Sequence, residues 1–290
     1  MDIIEKINRH GLLMDGAMGS VLIRQGLAGN EAAESWNIKR PDIIKQVHAD
    51  YFDAGADVVT ANTYGASQPK LKKMGADREF ERINREGVRL AKSVCGPGQY
   101  VAADMGAMGE MLAPAGPVSF EKMKDAFAAQ ARILDEEGVD LFLVETVFDL
   151  NAGLCAVQAI QSVSDKPVFC TLTFKETPRG FFTIFGNPPE QSMKTLADQG
   201  VAAVGANCSL GSTDMVRLAA QIRKCIDIPV IIQPNAGMPR AGAGNQVHYP
   251  ETDDRFVANM TRIRDLGVEI IGGCCGTTPE TIRKLRQAMT

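Results

Sequence analysis

Two cysteines stand side by side near the C-terminus, Cys274 and Cys275, within the stretch IIGGCCGTTPETI. Neighbours in a strand point to opposite faces, so an extended backbone cannot aim both thiols at one target. Gly272, Gly273 and Gly276 supply the conformational freedom for a turn that brings both sulfurs to one side. A disulfide within the adjacent pair would need a strained ring. Convergent thiols suit a soft metal, and three of them would hold a tetrahedral zinc with one position open. Cys208, in VGANCSLG, is the third candidate because it too closes a β-rich run, although spacing along the chain cannot place it beside the pair. Cys95, Cys155, Cys170 and Cys225 fall in helical stretches or mid-strand and read as packing residues.

Other polar residues close β-rich runs in the same way: Asp15, Asn62, Thr63, Asp104, Glu145 and Asn235. Of these, Asp15 and Glu145 are the carboxylates considered for a site role; helix capping or a surface ion pair is the plainer alternative. Glu145 follows the apolar run LFLV, where a charged carboxylate needs a cationic partner. Asn62 and Thr63 are equally suited to forming a turn, and Asn235 to an Asx turn before Gly237. His10, His48 and His248 show no ligand spacing, and none is assigned a role. The methionines of DMGAMGEMLAP read first as loop or core packing.

These residues need elements that gather them. Short β-rich runs at 12–16, 58–63, 100–106, 141–146, 168–174, 203–209, 229–237 and 270–276 alternate with amphipathic stretches. The stretches predict helices near 41–55, 78–95, 119–137, 151–163, 189–199, 212–226, 253–266 and 279–288. The third begins at Ser119 in a cap position and ends before Gly138. Eight such repeats fit a single-domain (β/α)8 TIM barrel spanning 1–290, whose reactive groups gather at the C-terminal ends of the strands. An open doubly wound sheet also alternates strand and helix, but no strand–GxGxxG–helix unit opens the chain and polar residues cluster at one end of every run. In a barrel the sixth and eighth strands can share a layer, so that Cys208 can meet Cys274 and Cys275 over one point.

Thirty-five acidic and 31 basic residues nearly balance, and no basic tract is long enough to follow a phosphate backbone, which argues against nucleic acid. No apolar run has the length of a signal peptide core or a bilayer span, so no membrane association is expected and a cytoplasmic location is. Seven irregularly spaced cysteines in a reducing compartment are poor material for a disulfide framework.

LLMDGAMGSVL, VVTANTYGAS, ADMGAMGEMLAP, LVETVFDL, VGANCSLG, QPNAGMP and IGGCCGTTPETI together resemble the homocysteine S-methyltransferase family, in order and along nearly the whole chain. The similarity is greatest to the homocysteine-binding module of cobalamin-dependent methionine synthases. GGCCGT with the upstream NC is the specific part; DGAMG or ANT alone would be weak. The resemblance implies a zinc-bearing TIM barrel in which Zn²⁺ is held by Cys208, Cys274 and Cys275, and methionine forms by attack of zinc-bound homocysteine thiolate on an activated methyl donor. It assigns the substrate ammonium to Asp15 and Glu145 and the carboxylate to backbone amides near Gly16 and Thr63, beside Asn62. It places Asn235 where related modules offer an amide oxygen to zinc when substrate is absent.

Such chemistry is physically apt. A free alkyl thiol has a pKa of about 8.5, and only its thiolate is nucleophilic. Three thiolates make zinc electron-rich, a poor activator of water, which argues against a hydrolase. The methyl donor is not identified by these residues. The DMGAMGEMLAPAG stretch resembles corrinoid-linked modules, and GGCCGT lacks an arginine after its second cysteine, which leans away from sulfonium users. A methyl-corrinoid carried by a separate protein is therefore the expected donor, with S-methylmethionine or a betaine as the alternative. The sequence shows no counterpart of the folate-binding barrel or cobalamin domain that accompany the module in full-length methionine synthase, so a fragment of a larger enzyme is equally compatible. A zinc-thiolate barrel that stores or senses a thiol without transferring methyl is the reading of another class.

Overall fold

The computed structural model describes residues 2–241 and 247–289. Eight parallel strands form the central sheet: β1 (Leu12–Leu13), β2 (Val58–Thr60), β3 (Tyr100–Met105), β4 (Leu141–Val147), β5 (Val168–Leu172), β6 (Ala203–Gly211), β7 (Val230–Asn235) and β8 (Ile270–Ile271). Each strand from β2 to β8 pairs with the next in chain order. β1 pairs β8 through Leu12–Ile270 and Leu13–Ile271, and a parallel bridge from Met14 to Val58 joins it to β2. The sheet thus closes on itself as a (β/α)8 TIM barrel.

All eight helical stretches expected from the periodicity are helices, running Pro41–Asp53, Phe80–Lys92, Phe120–Glu136, Leu150–Gln161, Pro189–Ala197, Ser212–Arg223, Asp253–Asp265 and Pro279–Met289. Ser119 caps the third with its side chain on the Lys122 N–H, and Gly138 follows that helix at φ 74°. Because the strands are covered outside and filled inside, both faces are apolar. Outward residues such as Val59, Val101, Phe142, Cys170, Val204 and Ile232 pack against the helices. Inward residues, including Leu12, Met14, Val58, Ala102, Leu141, Leu143, Phe169, Ala203, Ile231 and Ile270, fill the barrel.

A helix over Ile3–His10, absent from the periodicity reading, joins this inner core through Ile3 and Ile7. Asp2 caps it, Oδ1 accepting from the Ile4 N–H at 2.9 Å. Burying two isoleucines contributes on the order of 3–6 kcal/mol relative to leaving them in water. Gly11 then turns the chain into β1 at φ 71°, where a Cβ would lie 2.6 Å from the Glu269 carbonyl oxygen.

The inward column of most strands ends in a polar side chain: Thr60 on β2, Asp104 on β3, Glu145 on β4, Thr171 on β5, Asn207 on β6 and Gln233 on β7. The step from apolar to polar marks the floor of the mouth. Two antiparallel hairpins, Lys175–Thr177 with Gly180–Phe182 and Arg240–Ala241 with Val247–His248, rise from the loops after β5 and β7 at that end.

Candidate metal and substrate site

Cys208 lies on β6, where strict alternation would turn it away from the mouth because Asn207 already points inward. The pairing of β6 with β7 is irregular between Asn207 and Gly211, and Cys208 and Ser209 adopt φ 58° and 54°. Left-handed backbone at a residue with a Cβ costs roughly 1–2 kcal/mol. That local cost turns Cys208 toward the site. β4 does the same: its register shifts between Val144 and Val147, Thr146 has φ 55°, and Glu145 and Thr146 both reach the mouth.

Cys274 and Cys275 leave β8 after Gly272 and Gly273 and are fastened to the end of β7. The Cys274 N–H donates to the Pro234 carbonyl at 2.8 Å, and the Ala236 N–H to the Cys275 carbonyl at 2.9 Å. Thr277 Oγ1 donates to the Cys274 carbonyl at 2.7 Å and closes the turn. Gly276 is obligatory there, since it sits at φ 87° and a Cβ would come 2.3 Å from the Tyr249 ring.

The three Sγ atoms lie within 4.8 Å of one another, and among the described residues no other group of histidine, cysteine or acidic side chains converges so. Sulfurs at the corners of a zinc tetrahedron stand ~3.8 Å apart, so the cluster fits. Hydrogen bonds from the thiols of Cys274 and Cys275 depress Cys208 to about 3, and the same contact with Cys208 raises Cys274 well above the ordinary thiol range and Cys275 to about 11. The trio therefore holds one negative charge readily and needs a cation to hold more. Asn235 donates to Cys208 from its side-chain amide, and its buried Oδ1 has no partner. A donor oxygen left unsatisfied beside three thiols is a further sign of a metal position.

Beside the thiols is a cavity of about 230 Å³ whose wall includes Asp15, Gly16, Asn62, Glu145 and all three cysteines. Asp15 is 2 % exposed, and its Oδ2 accepts from the Thr60 N–H at 2.7 Å and Thr60 Oγ1 at 3.1 Å. Burial raises it to about 7 against the lowering of those bonds. Glu145 is raised to about 8, by burial first and then by the negative charges of Cys208 and Asp15. Gly16 is held tightly: a Cβ would sit 2.5 Å from Thr277 Oγ1.

Three of the residues expected at the site have mainly supporting contacts. Asn62 donates through Nδ2 to Asn37 Oδ1 at 2.8 Å and the Ala33 carbonyl at 3.0 Å. Thr63 is fully buried outside the cavity wall, its N–H on the Ala61 carbonyl at 2.7 Å and its Oγ1 on the Asp104 carbonyl at 2.8 Å. Asn235 stands behind Cys208 rather than on the wall.

Asn207 is the residue that sequence reasoning missed. Its Nδ2 donates to Glu145 Oε2 at 3.0 Å and Thr146 Oγ1 at 2.8 Å, and lies 3.9 Å from Cys274 Sγ. Its Oδ1 accepts from the Thr146 N–H and from Thr171 Oγ1, both at 2.8 Å. It is fully buried, and its sequence position beside a candidate ligand cysteine did not by itself reveal these contacts. Cys155 and Cys170, by contrast, are buried thiols raised to about 12 by desolvation and take no part in the cluster.

A closed parallel barrel with three converging thiols and two buried carboxylates at its C-terminal mouth defines a class of thiol-lined TIM barrels. The chain belongs to the homocysteine S-methyltransferase family, whose model matches residues 12–289. Among curated proteins it is 29% identical over 307 residues to a methionine synthase of Mycobacterium leprae (strain TN), covering 99% of this chain and 25% of that protein. A methionine synthase of Mycobacterium tuberculosis (strain ATCC 25618 / H37Rv) is 29% identical over 306 residues, with the same coverage. The chain thus spans about a quarter of the length of these relatives. Its fold is shared with the homocysteine methyltransferase MmuM from Escherichia coli. The metallated form of that protein superposes with a TM-score of 0.80 at 20% identity over 98% of both chains. The apo form does so with a TM-score of 0.71 at 20% identity, over 97% of this chain and 96% of that one. Among the described residues no helix is long and apolar enough to cross a membrane.

Proposed function

We propose that this barrel transfers a methyl group to the sulfur of homocysteine, with a zinc ion held by Cys208, Cys274 and Cys275. The observation that carries the reading is the convergence of those thiols, within 4.8 Å, on a cavity walled by Asp15 and Glu145. When bound, zinc supplies the positive charge that keeps an incoming thiol deprotonated near neutral pH. The protein's own groups do the rest. Asp15 and Glu145 accept the ammonium of the amino acid end and so fix which way the thiol points. Gly16, with no side chain, lets the substrate carboxylate approach the backbone, and Thr63 and Asn62 brace the neighbouring turn. Asn235 holds Cys208 from behind. In the transfer the substrate sulfur gives an electron pair to the methyl carbon, and the donor leaves with the pair that bound it.

For the donor we propose a methyl-corrinoid presented by a separate protein or another domain, docking over the mouth. Met111, Ile184, Phe185 and Met238 lie in loops at that end and are 40–56% exposed, apolar surface suited to a macromolecular partner. The site's dependence on reduced thiols suits a cytoplasmic location. Homocysteine supplied with methylcobalamin, S-methylmethionine or a betaine in turn tests the donor. Methionine is expected with methylcobalamin; formation with only the sulfonium or betaine overturns the donor assignment. Zinc and homocysteine binding without methionine from any donor would instead mark a thiol-binding protein without turnover.

A further inference from the structure

Asp104 closes the inward column of β3 and faces the same cavity as Asp15 and Glu145, yet the contacts described above give it no task. It is 7% exposed, its Oδ1 has no hydrogen-bond partner, and no ion pair among the described residues reaches it. The cation that acts on it, Lys70, lies instead over the Tyr64 ring, 4.4 Å from the centroid. A buried carboxylate in this state holds its charge poorly unless a cation binds it.

We propose that Asp104 is a specificity-determining residue, a third carboxylate that receives the substrate ammonium together with Asp15 and Glu145. The inference rests on the homocysteine reading of the site and deepens it. Hydrogen-bond vacancies support it. Asp15 commits Oδ2 to Thr60 and has only a 3.4 Å contact at Oδ1; Glu145 commits Oε2 to Asn207; the Asp104 carboxylate, on the cavity wall, has no hydrogen-bond donor at all among the described residues. Each of the three carboxylates thus keeps at least one oxygen without a close partner, one for each N–H bond of an ammonium. Metal binding by the carboxylates is the poorer fit, because they do not converge within 4.8 Å as the thiols do. An independent vacancy points to a ligand as well: Gln233, 2% exposed, lines the cavity with its Oε1 unpartnered. Burial and the charges of Glu145 and Asp15 push the Asp104 carboxyl well above its ordinary range, and an arriving ammonium relieves that repulsion.

The test compares homocysteine with 4-mercaptobutanoate, the same chain without the ammonium, by calorimetric affinity on zinc-loaded protein. The parent should prefer homocysteine strongly. Asp104→Asn, nearly isosteric, and Asp104→Ser should each lose about tenfold or more of that preference through weaker homocysteine binding. Affinity for 4-mercaptobutanoate and zinc content should stay unchanged. Variants that keep the parent's preference, or lose both ligands equally, overturn the role of Asp104 while leaving the homocysteine reading intact. A parent that binds neither thiol overturns that reading, and this inference with it.

Discussion

The side-chain amide of Asn207 donates to Glu145 Oε2 at 3.0 Å, so the residue preceding one candidate ligand holds the carboxylate proposed to bind the substrate. The same amide touches Cys274 Sγ at 3.9 Å and ties β6 to β4. Asn207→Ala would strand the Thr146 N–H and the Thr171 hydroxyl without their acceptor, each worth about 1–3 kcal/mol when buried unsatisfied. A loss of about 2–4 kcal/mol in urea unfolding is expected, together with weaker homocysteine binding in the protein that remains folded. Unchanged stability and affinity would refute the clasp.

The thiols should behave as a set. Alanine at Cys208, Cys274 or Cys275 should reduce bound zinc, measured by metal analysis of protein purified under reducing conditions, from about one equivalent to a small fraction. Cys170→Ala should retain zinc, since that thiol packs outward between sheet and helices. Full retention after loss of Cys208 would break the ligand assignment.

How much of this was legible follows from where each residue sits. The alternation of β-rich and amphipathic runs reported the barrel because every strand is buried on both faces, and all eight helices fell where their periodicity put them. The N-terminal helix escaped because its apolar positions, Ile3, Ile4 and Ile7, occupy barely two turns; Asp2 and Glu5 were the cap signal. The thiol cluster was legible from GGCC because adjacent cysteines among glycines make poor core. Asn207 was not, because its role depends on two strand irregularities, at Glu145–Thr146 and Cys208–Ser209, which leave no mark in residue type. Asp104 was seen as a strand end, but its lack of a partner is a property of the folded cavity alone.

The ammonium pair should respond to charge removal without loss of metal. Asp15→Asn and Glu145→Gln each remove a charge-assisted hydrogen bond, worth about 1.5–3 kcal/mol, or ten- to a hundredfold in homocysteine affinity. Zinc content is the control. If both variants bind homocysteine like the parent, the ammonium sits elsewhere.

His48 governs an acid limb of stability. It is fully buried on the helix Pro41–Asp53, both ring nitrogens lack partners, and burial lowers it to about 4 from 6.5. A depressed histidine means that the unfolded chain binds more protons than the folded one between those values. Stability from this group is therefore complete above about pH 6.5 and falls as the pH drops toward 4, by up to about 3 kcal/mol. His48→Leu should be neutral or stabilising at pH 7 and should flatten the decline between pH 6.5 and 4 in urea titrations. The opposite slope comes from Asp15, whose raised carboxyl makes the metal-free protein lose stability as the pH climbs from about 4 to 7. Asp15→Asn should remove that component. An unaltered pH profile in both variants would contradict these assignments.

X-ray absorption at the zinc edge addresses the central claim, that three protein thiols present one open position to the sulfur of homocysteine. Without substrate the first shell should contain three sulfurs and one lighter atom, at distances of about 2.3 Å and 2.0–2.2 Å. Added homocysteine should convert it to four sulfurs, while homoserine, with a hydroxyl in place of the thiol, should leave three. A shell with fewer than three sulfurs at the start, or one that homocysteine at saturating concentration leaves unchanged, would contradict the account.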